Sequence, residues 1–168
     1  MTRKRFSRQA NSLWQFSLAV YARPHVPPAC LALQDQHEVD VNLLLYAGWR
    51  AWNGDALSSE GCRTAEQRST IWRCELVLPL RNIRRHAGNL ARNDPSFAQV
   101  YTSLKKCELQ LERQQQAMLA DGSSRDSGAC ADINTALEVF ASTLGILDRS
   151  DVRPALATIA AAMESVAG

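Results

Sequence analysis

The chain has 168 residues, 46% of them hydrophobic and 21% charged, with 8 glycines and 6 prolines. It is long enough to bury one core without staples, and has too few glycines and prolines for a disordered or loop-dominated chain. The net charge of +2 conceals an alternation: +5 over residues 1–23, −4 over 24–60, +5 over 61–93 and −4 over 94–168. Such a pattern suggests basic surfaces that face acidic ones, within the chain or on a partner.

Residues 1–10 carry four bases and little apolar content, and read as a mobile tail. A helix is expected from residue 11 to Tyr21, capped by Asn11 or Ser12 and ended at Arg23-Pro24. Pro27-Pro28 opens a short helix, ACLALQDQH. Asp40 caps the next, VNLLLYAGWRAWN, in which Leu44, Leu45, Gly48, Trp49 and Trp52 share an apolar face and which Gly54 closes. Residues 54–63 read as a loop, after which Thr64 and Gln67 form a capping box. The helix that follows meets Pro79, so a kink or break is expected near residues 75–79, with helix resuming through Arg92. Asp94-Pro95 stops and restarts the chain. The longest helix then runs from Ser96 to about Ala120, with Phe97, Val100, Tyr101, Leu104, Cys107, Leu111 and Met118 as its expected buried stripe. A flexible linker over 121–128 leads to two more helices, Asp132 to Leu144 and Asp151 to Val166, and residues 129–168 form a looser pair. No alternating β pattern of useful length occurs. The expected fold is all-α: a compact bundle of about seven helices in a single domain over residues 11–168, one of them interrupted near Pro79.

No apolar run approaches the roughly 18 residues needed to span a bilayer. The N-terminus lacks the continuous apolar segment of a secretory signal, so a cytoplasmic location is expected. The five cysteines, Cys30, Cys62, Cys74, Cys107 and Cys130, are odd in number and include no CxxC pair. They give neither a disulfide framework nor zinc-ligand spacing, and those in helical patterns are expected to behave as small buried hydrophobes. HExxH, GxSxG, Walker A and GxGxxG patterns are all missing. No metal site, cofactor or catalytic residue is expected.

Two segments hold candidate site residues. Asp40 and Asn42 open a helix on which Trp49, Arg50 and Trp52 follow. They could form a polar, tryptophan-walled pocket, or a capped helix with aromatics in the core. Arg81, Arg84, Arg85 and Arg92 largely share one helical face, with His86 and Asn89 nearby. That face could bind phosphate, nucleic acid or an acidic protein surface, or it could be solvated or paired with the chain's own acidic segments.

Several blocks carry a resemblance. They are Ser12-Leu13-Trp14-Gln15-Phe16-Ser17, Ala29-Cys30-Leu31-Ala32-Leu33-Gln34-Asp35, and Asp40-Val41-Asn42-Leu43-Leu44-Leu45 with Trp49. Pro79-Leu80-Arg81 with Arg84-Arg85, Glu108-Leu109 and Glu112-Arg113 extend it. Over roughly residues 11–120 the chain is similar to an uncharacterised family of small proteobacterial proteins, a domain of unknown function. The resemblance implies a bacterial, cytosolic, helical protein and brings no activity or catalytic residues with it.

Three functions are then expected in turn. The first is a non-enzymatic accessory or adaptor protein that holds an acidic protein partner through the arginine face. The second is a small-molecule- or phosphate-binding protein, or an enzyme, with a pocket near Asp40, Asn42 and Arg81. The third is nucleic-acid binding through the basic tail and the arginine face. No membrane partner is expected.

Overall fold

A computed structural model of the chain describes residues 12–121 and 132–166. The basic tail, the linker from residue 122 onward and Cys130 lie outside the described residues.

The described residues form helices and no strand: α1 (Leu13–Tyr21), α2 (Val26–His37), α3 (Val41–Trp52), α4 (Ser59–Trp72), α5 (Leu78–Asn93), α6 (Ala98–Asp121), α7 (Ile133–Thr143) and α8 (Val152–Ser165). Local signals set most of these bounds. Ser12 accepts a hydrogen bond from the Gln15 N–H at the start of α1, and Asp132 does the same for Thr135 at α7. Such a cap satisfies one of the donors that a helix start leaves open, and is worth about 1 kcal/mol. Gly54 and Gly145 follow α3 and α7 with φ of 77° and 70°, the left-handed geometry that ends a helix at little cost to glycine. One start differs from expectation. Helix α4 begins at Ser59 rather than Thr64, because Ser58 caps it by accepting from the Gly61 N–H.

Pro79 is accommodated without a break. Residues Arg73–Val77 form a π-helical segment that joins α4 to α5 in one continuous rod. The Leu78 N–H reaches the Arg73 carbonyl, five residues back. Widening the helix by one residue relieves the clash that proline makes with the preceding turn. A second interruption lies at Pro95, where a short 3-10 turn over Pro95–Phe97, capped by Asp94, leads into α6.

The hydrophobic core is built from α1, α2, α3, the start of α4, the end of α6, α7 and α8. Leu13, Phe16, Val20, Leu33, Leu44, Leu119, Leu137, Leu156, Ile159 and Met163 are its largest fully buried members. Helices α7 and α8 pack on each other and on α3. At that junction Gly48 lets α3 approach Met163, so that a Cβ on Gly48 would fall 2.6 Å from the Met163 Cε and closer still to its Sδ. Between Ala65 and Leu119 no described residue joins this core. The backbone of α5 packs only on α6, the π segment and the 3-10 turn. Helix α5 and the first half of α6 are thus an antiparallel hairpin that projects from the bundle.

The buried face of α6 departs from expectation. Its buried residues are Glu108, Gln115, Gln116 and Leu119. Val100 and Cys107, expected inside, are exposed, and Phe97, Tyr101, Leu104, Leu111 and Met118 are half-buried. Cys74 is exposed as well, whereas Cys30 and Cys62 are buried free thiols. Burial pushes the Cys30 thiol up to about 12, which makes it an inert core residue.

Candidate functional site

Helix α6 carries Glu108, Glu112, Gln115 and Gln116 at i, i+4, i+7 and i+8, so one polar stripe turns toward the rest of the molecule. Its two ends meet different partners.

The lower end completes a network around the start of α3. Asp40 Oδ1 accepts from the Asn42 and Leu43 N–H groups at 2.9 and 3.4 Å, as an N-cap does. Its other oxygen accepts from Ser69 Oγ at 3.2 Å and from Gln115 Nε2 at 2.7 Å. Gln115 in turn accepts from Asn42 Nδ2 at 2.7 Å, and Gln116 Nε2 donates to Asn42 Oδ1 at 2.8 Å. Three helices are thereby tied together by side chains that have given up water for one another. Asp40 and Asn42 are fully engaged in this network.

The upper end holds the arginines. Arg81 donates through Nε to Glu108 Oε1 at 2.7 Å, through Nη2 to Glu112 Oε1 at 2.8 Å and through Nη1 to Gln34 Oε1 at 2.8 Å. Arg84 donates through Nε to the other oxygen of Glu108. Burial works against the Arg81 charge, but the hydrogen bond to Glu108 and the charges of Glu112 and Glu108 outweigh it and hold its pKa above the ordinary value. For Glu112 the balance goes the other way. Burial raises its carboxyl above the usual range, with Glu108 and Asp40 adding to the effect and Arg81 opposing it. Burial similarly raises the nearby Tyr21 hydroxyl.

Further out on the hairpin the arginines are more accessible. Arg85 reaches Asp35 of α2 at 2.8 Å, with both side chains about half exposed at 48% and 52%. The hydrogen bond from Arg85 is the main reason that the Asp35 carboxyl lies below its usual value. Arg92 is exposed and makes no ion pair among the described residues. An open groove of about 490 Å³ runs between the two helices, lined by Arg84, Arg85, Gly88, Asn89, Arg92 and Tyr101 among others. Lys105 lies beside it, its ammonium 5.7 Å from the centre of the Tyr101 ring that forms part of the lining.

The candidate residues therefore separate into three places. Asp40 and Asn42 lie in the network below, and Arg81, Arg84, Arg85 and Arg92 lie along the hairpin. Arg50 is remote from both: it is 3% exposed and donates to Tyr46 OH and to the Asp55 carboxylate, each at 2.7 Å. It ties the end of α3 to the loop that follows. Trp49 packs on Tyr46 at a ring-centre distance of 6.3 Å, in the wall of the core. A cleft of about 210 Å³ does open beside Asp40, lined by His37, Glu66, Ser69, Thr70 and Arg73 among others, but not by Asn42, Arg81 or Arg85. Its Arg73 donates to the Glu38 carbonyl, and its His37 bonds Asp151 at 2.7 Å.

The sequence reading missed Gln34, Ser69, Lys105, Gln115 and Gln116. The signal for the glutamines was the polar repeat Glu108, Glu112, Gln115 on an otherwise amphipathic helix. No group of three or more His, Cys, Asp or Glu side chains among the described residues could hold a metal ion, and no described helix is long and apolar enough to cross a membrane.

Comparison with known proteins gives a family and nothing closer. No curated protein and no solved structure matches the chain. A family model described as "Protein of unknown function (DUF2390)" matches residues 12–119, from α1 to near the end of α6. Those residues include both ends of the polar stripe and the whole hairpin. The chain belongs to the DUF2390 family.

Proposed function

We propose that the chain is an accessory protein that holds an acidic protein partner on the basic flank of its projecting hairpin. The observation that carries this reading is the separation of the arginines by depth. Arg81 is consumed by Glu108 and Glu112 at the base, and Arg84, although it lines the groove, pairs with Glu108; Arg85 and Arg92 line the open groove further out, with Lys105 over the Tyr101 ring in its wall. Residues 78–107 contain Arg81, Arg84, Arg85, Arg92, Lys105 and Lys106 against the single acid Asp94, a net +5. A half-exposed pair such as Arg85–Asp35 is worth about 0–1 kcal/mol, so Arg85 can exchange Asp35 for a partner's carboxylate at little cost. Guanidinium groups suit this role, because their fork accepts a carboxylate in two hydrogen bonds. A bacterial, cytoplasmic setting belongs to the same proposal, and the four free cysteines among the described residues accord with a reducing compartment.

Fluorescence anisotropy tests the reading with two labelled probes of equal charge, a glutamate- and aspartate-rich peptide and a single-stranded RNA. Saturable binding of the peptide near physiological salt, tighter than that of the RNA, supports it. Preference for the RNA would move the function to nucleic-acid binding, and no binding of either probe would remove the basic flank from consideration.

A further inference from the structure

The cleft beside Asp40 lies where α2, α3, α4 and α7 meet, and the arginine hairpin takes no part in it. On α4, Glu66, Ser69, Thr70 and Arg73 follow i, i+3, i+4 and i+7, so one face of that helix forms a wall. The end of α2 and the start of α3 add His37, Glu38, Asp40 and Leu43. Helix α7 packs against α4 and adds Phe140 and Leu144. Much of this lining is already fixed. Ser69 is fully buried and its Oγ donates to Asp40, which is itself tied to Gln115. Glu38 has a φ of 56°, a left-handed conformation uncommon for a residue other than glycine, and its carbonyl accepts from Arg73. Two charges in the cleft remain unmatched. Glu66 and Arg73 form no ion pair among the described residues. Two turns of helix set them roughly 10 Å apart along α4.

We propose that the cleft binds a free α-amino acid with an aliphatic side chain, its ammonium group on Glu66 and its carboxylate on Arg73. Two charge-assisted hydrogen bonds of about 2.8 Å, with the amino acid's own short backbone between them, span most of the distance between the two residues. The alkyl side chain lies against Leu43, Phe140 and Leu144. Size agrees with this occupant. The cleft holds about 210 Å³, equal to about seven waters at roughly 30 Å³ each, which is room for a small amino acid and too little for a nucleotide. Charge sets the alternatives aside. The lining carries Glu38, Asp40 and Glu66 against Arg73, and His37 is taken by Asp151. A phosphate would meet three carboxylates, and a plain amine would leave the Arg73 guanidinium without an acceptor.

Isothermal titration calorimetry of the full chain with leucine tests this proposal, and its outcome does not depend on the acidic-partner reading. Leucine should bind at a single site with a dissociation constant below about 1 mM. Isocaproate lacks the ammonium group and isoamylamine lacks the carboxylate. Each strands one charge of the cleft and should bind about tenfold more weakly or worse. Glu66→Gln and Arg73→Gln should each weaken leucine binding by about tenfold or more, with helical circular dichroism unchanged. Arg85→Glu with Arg92→Glu, out on the hairpin, should leave the leucine affinity within about twofold of the wild type. No leucine binding at about 10 mM would overturn the proposal. So would equal affinity for isocaproate or isoamylamine. Leucine binding that survives both cleft variants, or that is lost in the hairpin variant, would overturn it as well.

Discussion

Arg81 and Glu108 form a 2.7 Å ion pair in which both side chains are nearly out of solvent, at 13% and 10% exposure. The pair sits where the projecting hairpin leaves the bundle, and Gln34 and Glu112 complete the hydrogen bonds of the guanidinium. Removing one member of such a pair strands the charge of the other, which outweighs the modest net value of the pair itself. Arg81→Met should therefore lower unfolding free energy by about 3 kcal/mol. Arg85→Ala, at the exposed pair with Asp35, should cost about 0.5 kcal/mol or less. Urea denaturation followed by circular dichroism measures both. Similar losses for the two variants would contradict the division of the arginines by depth.

Glu112 gives the same cluster a pH signature. Its folded-state carboxyl titrates above the ordinary value of 4.5. Between that value and the raised one, the folded chain keeps a proton that the unfolded chain has released. The contribution of Glu112 to stability is thus greatest below the window and falls as pH rises through it. Glu112→Gln keeps an oxygen for Arg81 and removes this slope. Urea midpoints of the two proteins from about pH 4 to pH 7 should move in favour of the variant as pH rises. A difference that stays flat would contradict the assignment.

The network below is sensitive for another reason. Gln115→Leu leaves Asn42 Nδ2 without its acceptor and takes a donor from Asp40 and Ser69 inside the protein. A loss of about 2–3 kcal/mol is expected. Calorimetric unfolding should show it without any change in helical content.

Gly48 tests the packing of the C-terminal pair. Alanine there must displace the end of the buried Met163 side chain, so Gly48→Ala should cost about 1–3 kcal/mol despite the better helix propensity of alanine. Gly48→Ala combined with Met163→Ala should be less destabilised than the separate losses together. Full additivity would argue against close contact between α3 and α8.

Asp40, Gly54, Asp94 and Gly145 were readable in the sequence because a cap is decided by residues within one turn of it. That Pro79 would disturb the helix was readable too, but the expected kink or break is a π segment over Arg73–Val77 that keeps the rod continuous. The burial of α6 was not. Periodicity marks Val100, Leu104, Cys107 and Leu111 as an apolar stripe, and an apolar stripe ordinarily turns inward. Here the fully buried residues of α6 are Glu108, Gln115, Gln116 and Leu119 instead, because Arg81 and Arg84 meet Glu108 while Asp40 and Asn42 meet Gln115. Those pairings join residues 24 to 75 positions apart, a distance across which local patterns carry no information. The arginine face was visible for the same reason that the caps were, as a spacing within one helix. Its division between buried Arg81 and exposed Arg92 required the neighbouring helices.

The most direct measurement compares the affinity of the acidic peptide for the wild type and for a variant carrying Arg85→Glu, Arg92→Glu and Lys105→Glu. None of these three side chains holds the base of the hairpin, so the variant should keep the wild-type helical signal. Its dissociation constant should rise by at least about a hundredfold, since three attractive charges become repulsive. A well-folded variant that binds the peptide as tightly as the wild type would contradict the proposed role of the basic flank.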